Sequence, residues 1–461
     1  MIKTRKRSRR LRVLAPLAAI ALVAAACGDD DDDDAEPADE PAASEDDPAA
    51  EEDAPADAGE ESAEEITLVM IDNETGELSP IFDARIAEFE AANPGVTIER
   101  NTRSFADYLD TILLTVSGDD PPDIFQGNAG YTVDGPMVEA GVVLNLDPYE
   151  EQYGWNALFG ESALQINSFS EDGQRWGDGP LWGLSPTNEI VGVYYNKTIA
   201  ADLGIELPPA SFEDFEASLA TAADAEVLPI LAGNIDKWPG GHLYNVVQNA
   251  IAPGQENYDW VLRTEGASFA TQGNIDAAAK VQEWANAGYI NDDLNGLSYD
   301  DSTAQFTNGE ALYYFAGSWL VGAYQDAEIG FFAMPRVDGE PPAATGALSS
   351  PLHVSSSTDH PDLAVEFIDF LTNAEAAEVL SAAGQLPAAT GGSTGEGSLA
   401  ADVSTALGQV AAGGVLVPYL DFALADADPI VAGLQEIFAD RVSPEDYVND
   451  VQSAYEAEIA G

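Results

Sequence analysis

FTNGEALYYFAGSW, Phe306 to Trp319, runs from a polar turn through an apolar segment and stops on Gly-Ser-Trp. The apolar part reads as a strand, and it ends where two of the smallest side chains precede the largest one. Tyr313 and Tyr314 alternate across such a strand, so at least one of them is core. The open question is why a tryptophan stands where the strand stops.

The flanking sequence alternates strands with helices. Upstream, IVGVYY and LPILAG are strands, and PPASFEDFEASLATAAD is a helix started by Ser211 with Asp214 as capping partner. NIDAAAKVQEWANAGYI is a helix carrying Ile275, Val281, Trp284 and Ala285 inward. Nearer the N-terminus, ITLVM is a short buried strand. Ser79-Pro80 then supply an N-cap and first-turn proline for a helix bearing Phe82, Arg85, Ile86 and Phe89, stopped at Asn93-Pro94-Gly95. VTIE, a helix opened by the Ser104/Asp107 capping box, and DDPPDIF continue the series. PDLAVEFIDFLTNAEAAEVLSAAG holds a helix pair, GGSTGEGS (Gly391 to Ser398) is a loop or hinge, and SPEDYVNDVQSAYEAEI is a capped closing helix. This alternation implies α/β sheets, whose ligands gather at the carboxyl ends of strands. Asn73, Glu74, Gln126, Gly127 and Asn128 occupy such ends.

The chain has 461 residues, too many for one compact unit, so two lobes are expected. Residues 66–461 carry 62 acidic and ten basic side chains, which argues against binding nucleic acid. With only three lysines in that span, the acidity resembles adaptation to salt, which screens self-repulsion.

Residues 1–27 read as a targeting signal. Seven basic residues precede an apolar run, Val13 to Ala26, shorter than the roughly 20 residues that span a bilayer. It ends AAAC on the single cysteine of the chain, Cys27, and resembles the lipobox of bacterial lipoproteins, with Ala24 where leucine is usual. That resemblance implies a lipid on Cys27 and anchoring at the outer face of the cell membrane. Residues 28–65 hold 20 acidic residues with no basic or aromatic one, a composition that cannot offset its ordering entropy by burial. They read as a disordered tether kept extended by self-repulsion.

Catalytic signatures are missing. The three histidines lack HExxH spacing, and no GxSxG, GxxxxGK or GxGxxG sequence occurs. Acidic pairs such as Asp292-Asp293 and Asp300-Asp301 lack the alternating spacing of a calcium loop. No catalytic residue, metal or cofactor is expected.

FEAANPGVTIE, SGDDPPDIF, YYNKTIAADLGIELPPASFEDFEA and FTNGEALYYFAGSW, in this order, resemble the family 1, carbohydrate-type extracellular solute-binding proteins of bacterial ABC importers. The resemblance implies a type II periplasmic-binding-protein-like α/β fold: two lobes, each a mixed sheet flanked by helices, joined by hinge crossings. It divides the chain into 66–185 with a return segment 346–388, and 186–345 with C-terminal helices 389–461. The implied partners are a sugar, mono- or oligosaccharide, and the membrane permease, with the protein acting as a monomer.

In that family the Gly-Ser-Trp stretch meets the cleft, so Trp319 offers an indole face to a sugar ring while Gly317 and Ser318 let backbone amides approach. Trp238, in KWPGGH, resembles an aromatic loop of sugar binders, and Trp182 precedes the lobe crossing. Asn188 and Glu189, with Asn73, Gln126 and Asn128 opposite, suit hydroxyls because they donate and accept. The alternatives are a secreted glycan-processing enzyme, which needs a carboxylate pair flanking the cleft, or a binder of a polyol or peptide. The seven scattered arginines and three lysines of residues 66–461 disfavour an anionic ligand.

Overall fold

The computed structural model describes residues 65–460 apart from 77, 325–326, 347, 349 and 391–396, and leaves aside the side chains of 161–162. The targeting segment with Cys27, the tether up to residue 64, and most of the glycine-rich stretch 391–398 lie outside the described residues.

Two sheets organise the described chain. The first has Val96–Thr102, Ile66–Asp72 and Ile124–Gln126 as parallel neighbours, followed by Leu352–Val354 and Gly183–Leu184, each antiparallel to the strand before it. The second runs Ile329–Phe332, Val191–Asn196, Ala311–Gly317, Leu228–Leu231, with only the last pair parallel. Leu352–Val354 follows every strand of the second sheet in sequence, yet pairs within the first. The chain therefore leaves the first sheet after Leu184 and returns before Leu352. It then leaves again, because helix Leu399–Ala411 packs on strand Ile329–Phe332, and Pro444–Ile459 packs on Gln272–Asn286. Isolated bridges Thr187 to Pro387 and Asn188 to Leu348 lie side by side at these passages.

Local signals account for most elements. Ser104 accepts the Asp107 amide at the start of Phe105–Val116, and Tyr108, Ile112 and Val116, four residues apart, are buried. Ser211 and Ser443 cap their helices in the same way. Ser79 departs from its expected role: Leu78 holds the N-cap position of Ser79–Ala92 without a side-chain cap. The Ser79 hydroxyl instead accepts from Arg100 at 3.1 Å, so a tertiary partner replaces the local one.

Both tyrosines of the opening stretch are core, because helices cover both faces of the second sheet. Tyr313 packs with Phe215 and bonds Ser218, whereas Tyr314 stacks on Phe306 and bonds Ser302 and Thr303. Burying each ring stabilises by about 1.5–3 kcal/mol, and the phenol oxygens are satisfied by hydroxyls. In Gln272–Asn286, Ala277, Ala278, Val281 and Trp284 are buried; Ile275 and Ala285 are half-buried at its edge.

Candidate functional site

Where strand Ala311–Gly317 ends, the chain turns sharply and the Trp319 indole folds back over Gly317. A β-carbon at Gly317 would fall inside that indole, which explains the small residue. Trp319 is half-buried, and its Nε1 donates to the Tyr299 hydroxyl at 2.6 Å. Tyr299 opens helix Tyr299–Thr307, capped by Ser298. Trp238 lies 4.6 Å from Tyr299 between ring centroids, and His242 lies 5.0 Å from Trp238, 5.4 Å from Trp319 and 5.6 Å from Tyr419.

Trp238 begins helix Trp238–Ile251 rather than riding on a loop. The buried Asn234 anchors that start by accepting the Gly240 amide at 2.7 Å. Four residues on, His242 shares the helix face of Trp238. Burial pushes the His242 imidazole down to about 3, so it is neutral, and its Nδ1 is buried without a partner.

The first sheet contributes from the other side. Phe105 meets Trp238 edge-on at 6.0 Å. At the end of strand Ile66–Asp72, Arg100 grips Asp72 through Nε and a terminal nitrogen at 2.7 and 2.8 Å, and also reaches Ser79, Asp83 and the Glu74 carbonyl. This fixes the turn that presents Glu74, whose carboxylate accepts from Gln126 at 2.7 Å. Burial pushes the Glu74 carboxyl up to about 7; the Gln126 bond opposes the shift, and the charges of Asp72 and Glu189 add to it. Glu189, on the first passage between sheets, accepts the Tyr419 hydroxyl at 2.9 Å, and its charge is among those that act on Glu74. Burial, then Glu189, raise the Tyr419 phenol well above its ordinary value.

The other expected residues fall around this cluster. Gln126 is fully buried and its amide oxygen takes the Asn73 amide proton at 3.0 Å, while Asn73 Nδ2 is buried without a partner. Asn128 is buried, and its backbone donates to Asp134 at 2.9 Å. Ser318 does not offer its amide to the gap: its N–H donates to Ile190 and its hydroxyl accepts the Ile190 amide. Gly317 is likewise covered, by the indole, and its carbonyl accepts from Tyr194. Asn188 donates to the Pro387 carbonyl at 3.1 Å and so ties two passages together. Trp182 donates to Phe169 at 2.8 Å, beside His353, whose Nδ1 is 2.8 Å from the Trp182 carbonyl and whose Nε2 is 3.3 Å from Asp134. For His353, burial acts against the charge, but Asp134 and that carbonyl outweigh it and the net shift is upward.

Four contributors carried no motif: His242, Tyr299, Tyr419 and Phe105. The four-residue spacing of Trp238 and His242 was the one local signal for them. A cavity of about 880 Å³ lies elsewhere, lined by Pro208, Ser211, Lys280, Phe331, Arg336 and Asp402, and includes none of these rings.

A multiple sugar-binding protein of Streptococcus mutans is 24% identical over 204 residues, 42% of this chain and 48% of that protein. The chain thus spans about half the length of that curated relative. Among solved structures, a chitin oligosaccharide binding protein matches with a TM-score of 0.73 at 22% identity, covering 86% of this chain and 99% of that one. The raffinose complex of the solute-binding protein RafE matches at 0.69 with 19% identity, covering 85% and 99%. These likenesses give the fold, the two-lobed type II periplasmic-binding-protein architecture. The model of the bacterial extracellular solute-binding proteins matches residues 73–378, a span that holds every strand of the two sheets except Ile66–Asp72, and the chain belongs to that family.

Proposed function

We propose that this protein is the substrate-binding component of an ABC importer. It captures a sugar between the lobes by hinge closure and delivers it to membrane permease subunits, with no reaction at the site. One observation carries the reading: Trp238, Tyr299, Trp319, His242 and Tyr419 form one cluster, met by Phe105 from the side of the first sheet, with Glu189 bonded to Tyr419 and its charge acting on Glu74. Flat ring faces suit the C–H sides of sugars, and imidazole, amide and carboxylate groups suit hydroxyls. The names of similar proteins, for multiple sugars, chitin oligosaccharides and raffinose, support the same ligand class.

The lobes of this reading divide near 185/186 and 345/346, with 346–388 returning to the first and 389–461 completing the second. The basic and apolar start, Cys27 and the acidic stretch support a lipid anchor and a tether outside the cell membrane, and the protein is read as acting as a monomer. The test is to heat the purified protein with a panel of oligosaccharides. A sugar that raises the melting temperature and is recovered intact supports the proposal. Release of a cleaved product, or no shift with any sugar, overturns it.

A further inference from the structure

We infer that the sugar bound here carries a protonated amine, held at the Glu74 carboxylate against the faces of the ring cluster. This rests on the sugar-receptor reading and narrows its ligand class.

The placement of positive charge around the cleft carries the argument. Arg100 bonds Asp72, Ser79, Asp83 and the Glu74 carbonyl but not the Glu74 carboxylate, on which its charge is the smallest of the influences at work. Lys237 precedes Trp238 in sequence, yet its ammonium turns to Asp428 at 2.6 Å. Arg263 bonds Ala423 and Glu458 and lies over Tyr131. Among the described residues no basic side chain forms an ion pair with Glu74, whose bonded partner is the neutral amide of Gln126.

His242 points the same way. It is 6% exposed, neutral, and its Nδ1 has no partner although three aromatic rings surround it. A neutral imidazole repels no cation and supplies an acceptor to an ammonium N–H. Trp238, Trp319 and Tyr299 add ring faces that attract a cation electrostatically. Glu74 completes the set as a charge-assisted acceptor. Over longer range, 62 acidic against ten basic residues in 66–461 draw cations toward the protein. A neutral or N-acetylated sugar gains from the flat faces but from none of the charge terms.

The test is tryptophan-fluorescence titration at neutral pH with glucosamine oligomers bearing free amines, their N-acetylated counterparts, and glucose oligomers of equal length. The free-amine series is expected to bind about tenfold tighter than both neutral series, the worth of one charge-assisted contact. High salt should shrink that lead, and Glu74→Gln should abolish it, bringing the free-amine series level with the neutral ones whatever their common affinity. Equal or tighter binding of the neutral series, or a lead that survives in Glu74→Gln, overturns the inference and leaves the sugar receptor standing. Failure of all three series to bind overturns both. Circular dichroism checks that the variant is folded; if it is not, the comparison of the three series on the unaltered protein decides.

Discussion

The Trp319 indole nitrogen and the Tyr299 hydroxyl, 2.6 Å apart, make one rigid unit of a strand end and a helix start. Tyr299→Phe removes the acceptor and leaves the indole N–H seeking another. The expected result is a loss of about 1 kcal/mol in stability and several-fold weaker sugar binding, read by denaturant titration and fluorescence.

Gly317 is the floor beneath that indole. Gly317→Ala drives a methyl group into the ring and should cost about 1–3 kcal/mol through overpacking, with a shift in tryptophan emission. In a Trp319→Ala background the clash is gone, so Gly317→Ala should there cost almost nothing further, while binding stays weak. A lone Gly317→Ala protein that melts like the parent would show that the indole sits elsewhere.

Glu74 predicts a pH profile. Its carboxyl is raised from 4.5 to about 7, so the native state keeps the proton that an unfolded chain releases at lower pH. Its contribution to stability is therefore present below about 4.5 and is lost as pH rises to about 7. Melting temperatures of the ligand-free protein should fall across that window more steeply in the parent than in Glu74→Gln. Parallel curves would refute the assignment.

Asp134 and His353 are both buried and face each other at 3.3 Å beneath Asn128 and Trp182. Asp134→Ala should cost about 3–5 kcal/mol by stranding one partner. Because His353 is raised, its share of stability is full below its ordinary value and is lost as pH rises through the native one. The penalty of Asp134→Ala should accordingly shrink in alkaline buffer.

Thr132 lies within bonding distance of the Asp421 and Leu424 carbonyls, at 2.9 and 3.0 Å, next to the Tyr131 amide that donates to Phe422. This clasp joins a turn after Ile124–Gln126 to the segment after Leu416–Val417. Thr132→Val should lose about 1 kcal/mol and speed ligand release, measured by stopped-flow fluorescence; an unchanged release rate would exclude the clasp from closure.

Much of the fold was legible because its signals are local. The Ser104/Asp107 and Ser211/Asp214 caps, and the run of Tyr108, Ile112 and Val116, each lie within a few turns of helix. Ser79 misled because its hydroxyl serves Arg100, 21 residues away, a partner that capping rules do not contain. Trp319 was legible at the strand end, but the duty of Gly317 depends on which way the indole folds. Tyr419 could not be read at all: its link to Glu189 spans 230 residues. His242 lacked metal-ligand spacing, and its value emerges only once Trp238 is seen to start a helix.

Thr187 with Pro387, and Asn188 with Leu348, knit the passages between the sheets into a narrow ply. A leaf of adjacent strands flexes across its thickness far more easily than it shears within its plane. In the proposed hinge closure, that single compliant direction would let Glu74 and Phe105 swing away from Trp238 and Trp319 and come back without sideways drift. Each cycle of the proposed receptor would then meet its guest in the same lateral alignment, leaving discrimination among guests to the height of the gap.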